Sequence, residues 1–152
     1  MYADDPAWKD KAERVSKLAK DVSEVMAEIG LSSPRGERLT VAYHSACSMQ
    51  HGQKVDAQPK KLLRDAGFVV KDVPDGHLCC GWAGMYHVLQ PELSLRLRER
   101  KAATLESVKP DIIAAGNFGC IDQIAGGLDI PIVHTVELLD LATGGLRPKA
   151  ML

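Results

Sequence analysis

The order of elements along the chain predicts an α/β fold: a parallel sheet of about four strands with flanking helices and an extra N-terminal helix. Three observations predict it. Short β-branched or apolar runs alternate with stretches of helical periodicity, which calls for right-handed crossovers between parallel strands. Residues Asp111 to Ala115 are dominated by a continuous apolar run, the pattern of a strand buried on both faces. Four cysteines, Cys47, Cys79, Cys80 and Cys120, each follow a run read as a strand, at the carboxyl rim where such sheets bind ligands.

The elements follow in order. Asp5 suits a helix N-cap and Pro6 the first helical position. Apolar residues from Trp8 through Val15, Leu18, Val22 and Met26 to Ile29 keep three-four spacing, so one helix is expected to run to Gly30. Residues 31–38 form a polar linker. Leu39 to Tyr43 is the first strand. Asp56 to Ala66 is a helix stopped by Gly67, with Pro59 tolerated in its first turn. Phe68 to Val73 is the second strand, and Pro74 to Gly84 a turn and loop. A helix from about Gln90 to Ser107 has untidy apolar spacing that does not reveal its buried face. Asp111 to Ala115 and Ile130 to His134 are the third and fourth strands. Between them Cys120 opens a short helix to about Ala125, and Thr135 caps a last helix through Leu141. The chain therefore divides into a helix and linker (1–35), a cysteine-rich domain (36–145) and a frayed tail (146–152).

At 152 residues a single domain buries about 70% of the surface of its unfolded chain. Such a core does not need a metal merely to stay folded, so the cysteines read as functional. A net charge of −1 provides no basic field for nucleic acid. No 18-residue apolar run exists to span a membrane, and charges spread through the first 30 residues exclude a signal peptide. Without an export signal, disulfides are not expected; the location expected is cytoplasmic, with any membrane contact made through partners.

Four thiolates suit Zn²⁺ or an iron–sulfur cluster, because soft ligands select soft or borderline metals. The gaps between cysteines are 31, zero and 39 residues, unlike paired zinc knuckles or the tight cysteine run of ferredoxins. Gly81, Gly84, Gly116 and Gly119 cluster beside the sulfurs, where glycine allows close backbone approach and turns amides toward sulfur. Each taken singly is also an ordinary turn glycine.

The spacing Cys47, Cys79-Cys80-Gly81, Cys120 resembles the cysteine-rich "CCG" domain of the iron–sulfur subunits of glycolate oxidase, heterodisulfide reductase and related lactate and glycerol-3-phosphate dehydrogenases. Cys47-Ser-Met-Gln-His-Gly-Gln53, Cys79-Cys-Gly-Trp-Ala-Gly-Met-Tyr86, Leu89-Gln-Pro-Glu92 and Gly116-Asn-Phe-Gly-Cys120 are similar to the C-terminal repeat of the glycolate oxidase iron–sulfur subunits. The likeness runs from about Asp4 to Asp140. It implies electron transfer by a [4Fe–4S]-type cluster on Cys47, Cys79, Cys80 and Cys120, between flavin-containing partner subunits and quinone. It also implies a ferredoxin-like domain that this chain lacks, making the chain a fragment or one piece of a divided subunit without catalysis of its own. Two departures stand out. Gln123 replaces the last cysteine of the heterodisulfide reductase pattern, and Ser48 replaces a histidine common after the first cysteine.

Among the other candidates, His44 and His51 flank Cys47 and read as turn or solvent histidines, with partner or replacement ligand as the alternative. His77, His87 and His134 read as structural. Trp82 either shields the cysteine loop from water or packs there. Asp122 is an ordinary first-turn aspartate. A Cys47–His44 nucleophile–base pair leaves three cysteines unexplained, and no GxGxxG follows a strand. The competing reading is a docking module whose sulfurs hold Zn²⁺ or nothing.

Overall fold

The protein is described here by a computed structural model covering residues 2, 4–32, 34 and 37–152. Ser33, Arg35 and Gly36 of the expected linker lie outside the described residues.

The expected single N-terminal helix is two. Helix α1 spans Lys9–Leu18 and α2 spans Val22–Ile29. Ala19 turns extended, and Asp21 starts a new helix through a capping box. Its carboxylate accepts the Ser23 N–H at 2.8 Å, while its own N–H donates to Glu24 Oε2 at 2.8 Å. This local capping interrupts an apolar periodicity that runs on across the break. Helix α1 starts later than expected, with Trp8 rather than Asp5 at its N-cap; Asp5 instead closes a turn ahead of it, its carboxylate accepting the Ala7 N–H at 2.9 Å. No residue of α1 is buried, whereas Met26 of α2 packs against the core.

The sheet contains β1 (Thr40–His44), β2 (Val69–Lys71), β3 (Ile112–Ala115) and β4 (Ile132–His134), all parallel in the order β2-β1-β3-β4. Helix α3 (Ala57–Asp65) links β1 to β2. The short α4 (Tyr86–Leu89) and long α5 (Pro91–Glu106) link β2 to β3, and α6 (Phe118–Ala125) links β3 to β4. Helix α7 (Thr135–Ala142) follows β4.

Two apolar cores sandwich the sheet. Val41, Tyr43, Ile112, Ala114 and Val133 face α3 and α7 through Leu62, Leu63, Leu138 and Leu139. Ala42, Ile113 and Ile132 face the other way, onto Leu105 of α5 and Ile124 of α6, in a cluster that includes Cys80 and Cys120. Alternate residues of β1 and β3 thus enter opposite cores, which is why these central strands are apolar throughout.

Helices following the neighbouring strands β1 and β3 lie on opposite faces. The carboxyl ends of these two strands therefore open a crevice of the kind found at a topological switch point. Cys47 leaves β1 and Cys120 follows β3, one on each side of it.

Several boundaries differ from expectation. Helix α6 begins at Phe118 rather than Cys120, with Asn117 as its N-cap: the Asn117 side chain accepts the Cys120 N–H at 3.1 Å. His134 caps α7, its ring accepting the Val136 N–H at 3.2 Å, while Thr135 is the first helical residue and its hydroxyl is buried. At the expected frayed end a 3₁₀ turn forms at Lys149–Met151. Met151 packs on the core and Arg147 pairs with Glu37.

Candidate metal centre

Cys47 sits where β1 gives way to a π-helical turn, Ser48–Gln53, a rare geometry that recurs at functional sites. The turn is tied down at both ends. Gln50 Nε2 donates to Ser45 O at 3.1 Å and to Gly76 O at 3.4 Å, joining the first cysteine's turn to the loop before the vicinal pair. Lys54 closes it in the left-handed region at φ 63°, and the Ser45 hydroxyl donates to the Asp56 carboxylate.

The vicinal pair lies in the loop after β2. Gly81 holds φ +97°, and a side chain there would collide with the Ser94 carbonyl oxygen. Only glycine satisfies both constraints. The Gly81 N–H donates to Cys79 Sγ at 3.3 Å, and the Ser94 hydroxyl donates to Gly81 O at 2.9 Å. Gln123, at the position where the heterodisulfide reductase pattern has its last cysteine, gives Ser94 Oγ its Nε2–H at 2.9 Å. It contributes a clamp between α6 and α5 rather than a sulfur.

Cys120 occupies the first turn of α6. At Gly119 an added Cβ would lie 2.5 Å from Trp82 Nε1, so glycine lets the indole cover this turn. Trp82 in turn stacks on His87, with ring centroids 4.0 Å apart.

These three segments bring all four cysteines to one cavity of about 180 Å³, lined also by Ser48, Trp82, Ala83, Gly84 and Asn117. The Cys80 and Cys120 sulfurs are 3.2 Å apart, and Cys47 and Cys79 line the same cavity. All four are free thiols. Cys47 is exposed and Cys79 half-buried, whereas Cys80 and Cys120 are 2% and 5% exposed.

Crowding favours the protonated form of Cys47, Cys79 and Cys80. Hydrogen bonding to Cys120 is the first cause pushing Cys80 up to about 11. Hydrogen bonding to Cys80, then burial, lifts Cys79 far above the usual thiol range. Burial, then the charge of Cys79, raises Cys47. A cation binding here must displace those protons.

Two cationic or basic groups border the sulfurs: Lys101, which the sequence did not single out, and His44, which it offered as a partner or replacement ligand only in second place. Lys101 of α5 is 1% exposed and donates to Asp75 O at 3.0 Å and Gly76 O at 3.5 Å, beneath the cysteine loop. Burial lowers its proton affinity; the charges of Cys80, Asp75 and the other sulfurs oppose that. His44, read from sequence as a turn or solvent histidine, is the last residue of β1 and 2% exposed. Burial, then the charge of Lys101, lowers its pKa to about 3. Among the described residues, a ligand nitrogen of His44 and the sulfurs of Cys80 and Cys120 lie within 4.8 Å of one another. His51 and His77 are exposed, as is Asp122.

The donor set fits a thiophilic metal or cluster. Four sulfurs converge, and among the described residues no carboxylate lines the cavity. The buried lysine offsets negative charge that thiolates would bring.

The comparisons with known proteins agree with this chemistry. A family model described as a cysteine-rich domain, CCG, matches residues 41–125. The chain is 39% identical to the glycolate oxidase iron-sulfur subunit of Escherichia coli (strain K12) over 144 residues, 93% of this chain and 35% of that protein. It is 27% identical to the probable glycolate oxidase iron-sulfur subunit of Bacillus subtilis (strain 168), covering 95% of this chain and 35% of that one. Lactate utilization protein A of Bacillus licheniformis is also 27% identical, over 92% of this chain and 62% of that protein. The chain thus spans only about a third of the two glycolate oxidase subunits it matches. With a family match that covers β1 through α6 and takes in every cysteine, the chain belongs to the cysteine-rich CCG domain family.

Proposed function

We propose that the chain is an electron-transfer domain that holds a [4Fe–4S]-type cluster through Cys47, Cys79, Cys80 and Cys120. One observation carries this reading: sulfurs from three loops, far apart in sequence, meet in one pocket at the carboxyl rim of the sheet. The relatives named as iron-sulfur subunits support iron over zinc.

When bound, such a cluster supplies one-electron transfer between two-electron flavin and quinone chemistry. The chain's own residues do the rest. The Gly81 N–H directs a hydrogen bond at Cys79 sulfur, which helps set a cluster's potential. Trp82 lines the cavity and limits water. Lys101 places a positive charge beneath the loop. Met85 and Phe118 are exposed and follow the lining residues Gly84 and Asn117 in the chain, apolar side chains suited to a partner subunit.

In this reading the partners are flavin-containing subunits that oxidise glycolate or a related 2-hydroxy acid, and a ferredoxin-like iron–sulfur domain. No helix among the described residues is long and apolar enough to cross a membrane. Contact with a quinone at the cytoplasmic membrane face would then run through partners.

Anaerobic reconstitution followed by iron and sulfide analysis and EPR tests the proposal. The expected result is about four irons and four sulfides per chain, with absorption that bleaches on reduction. Zinc without iron would instead favour the docking-module reading. A chain that takes up no metal after reconstitution would end the proposal.

A further inference from the structure

We propose that His44 is a nitrogen ligand of the metal centre, joined there by Cys80 and Cys120; this rests on the reading that the cysteines hold a metal. The placement comes from the fold. β1 ends at His44, paired in register with Ala115 at the end of β3, so the imidazole stands at the rim between the two strands from which Cys47 and Cys120 depart.

Three observations carry the inference. His44 is 98% removed from solvent, being 2% exposed. Both of its ring nitrogens are buried without a hydrogen-bond partner, and buried polar groups are nearly always paired. One of those nitrogens lies within 4.8 Å of both the Cys80 and Cys120 sulfurs, which are themselves 3.2 Å apart. Metal–sulfur bonds are about 2.3 Å and metal–nitrogen bonds about 2.0–2.1 Å, so tetrahedral donors sharing one ion lie roughly 3.5–3.8 Å apart. The triad comes within about 1 Å of that spacing.

Competing partners are absent on the described neighbours. The nearby Ser45 hydroxyl is committed to Asp56, and Lys101 donates to Asp75 and Gly76 carbonyls. A residue whose only task was to fill this core would need no nitrogen atoms.

A neutral imidazole in place of a thiolate removes one negative charge from the ligand set and raises the reduction potential. With Cys80 and Cys120 beside it, His44 takes the place of one of the two outer sulfurs, Cys47 or Cys79, so that the group keeps four protein donors.

The test uses the full chain labelled with ¹⁵N-histidine, loaded anaerobically with iron and sulfide and then reduced. Electron–nuclear double resonance should detect a strongly coupled ¹⁵N that disappears in His44→Ala. His44→Cys should keep its metal and shift the potential downward. If the chain holds zinc instead, X-ray absorption at the zinc edge should show a nitrogen shell at about 2.0–2.1 Å, lost in His44→Ala. That outcome sustains the ligand assignment while removing the electron-transfer reading. A loaded cluster with no strongly coupled histidine nitrogen, or an all-sulfur zinc shell, overturns the assignment and leaves the cysteine site standing. Where His44→Ala fails to fold, a wild type without a coupled nitrogen still overturns the assignment, and loss of the coupling in His44→Cys assigns it to His44.

Discussion

Gly81 concentrates three demands on one position: a left-handed backbone, an N–H aimed at Cys79 and a carbonyl that accepts from Ser94. Gly81→Ala adds both backbone strain and a clash with α5. The expected cost is about 1–3 kcal/mol, read as a lower urea midpoint, together with weaker metal retention. Titration gives a second expectation at this scale. Cys80 is raised from 9.0 to about 11 when folded, so the metal-free native state holds a proton that the unfolded chain releases. Its stabilising contribution is full below pH 9 and is lost as pH rises toward 11. His44 behaves in the opposite sense. Its pKa falls from 6.5 to about 3, so stability is lost as pH falls through that window. Urea midpoints measured with a chelator present should therefore form a plateau between these limits, and His44→Leu should flatten the acid arm. The cysteines were legible as a set because each follows a strand. His44 was not, because a polar residue at a strand end usually meets water, and only the packing of α5 and α6 reveals that this one does not. Ser94 and Lys101 were hidden for a related reason: they occupy the buried face of α5, where an apolar stripe was sought.

At the scale of elements, the N-terminal region shows how a cap overrides a periodicity. Val15, Leu18, Val22 and Met26 share helical spacing, yet Asp21 and Glu24 form reciprocal bonds that start a fresh helix. The Asp-x-x-Glu signal was present in the sequence and lost to the longer pattern. Asp21→Ala should cost about 1 kcal/mol, measured by chemical denaturation. Hydrogen exchange should rise at Ser23 and Glu24, the amides nearest the cap. The four strand cores, α3 and α7 were readable because each combines the right period with Gly, Pro or a cap at its ends, whereas α5 was readable in extent but not in its buried face. Their exact limits were not, since pairing decides where a strand stops. β2 retains only Val69–Lys71 of an expected longer run because β1 offers it three partners, Thr40 to Ala42.

For the whole molecule, alternation of strand and helix foretold a parallel sheet, but not the order of its strands. That order depends on which face each crossover covers, and the two cores of the sheet settle it only in three dimensions. Helix α1 stands apart from both cores, with Trp8, Val15 and Leu18 exposed. Removing residues 1–19 should change unfolding free energy by no more than about 0.5 kcal/mol, while leaving the reactivity of the four thiols unchanged. A fall of several kcal/mol would show that α1 contributes to the core.

β2 is both the shortest arm of the sheet's left half and its outer border, paired on one side alone and with exposed residues at both ends. Half of the sulfurs hang from the loop it releases. The loop does not depend on that border alone: Ser94 and Lys101 of the long helix and Gln50 of the first cysteine's turn hold it from the other side. Loss of a bound group therefore requires those ties to open as well as the margin of the sheet.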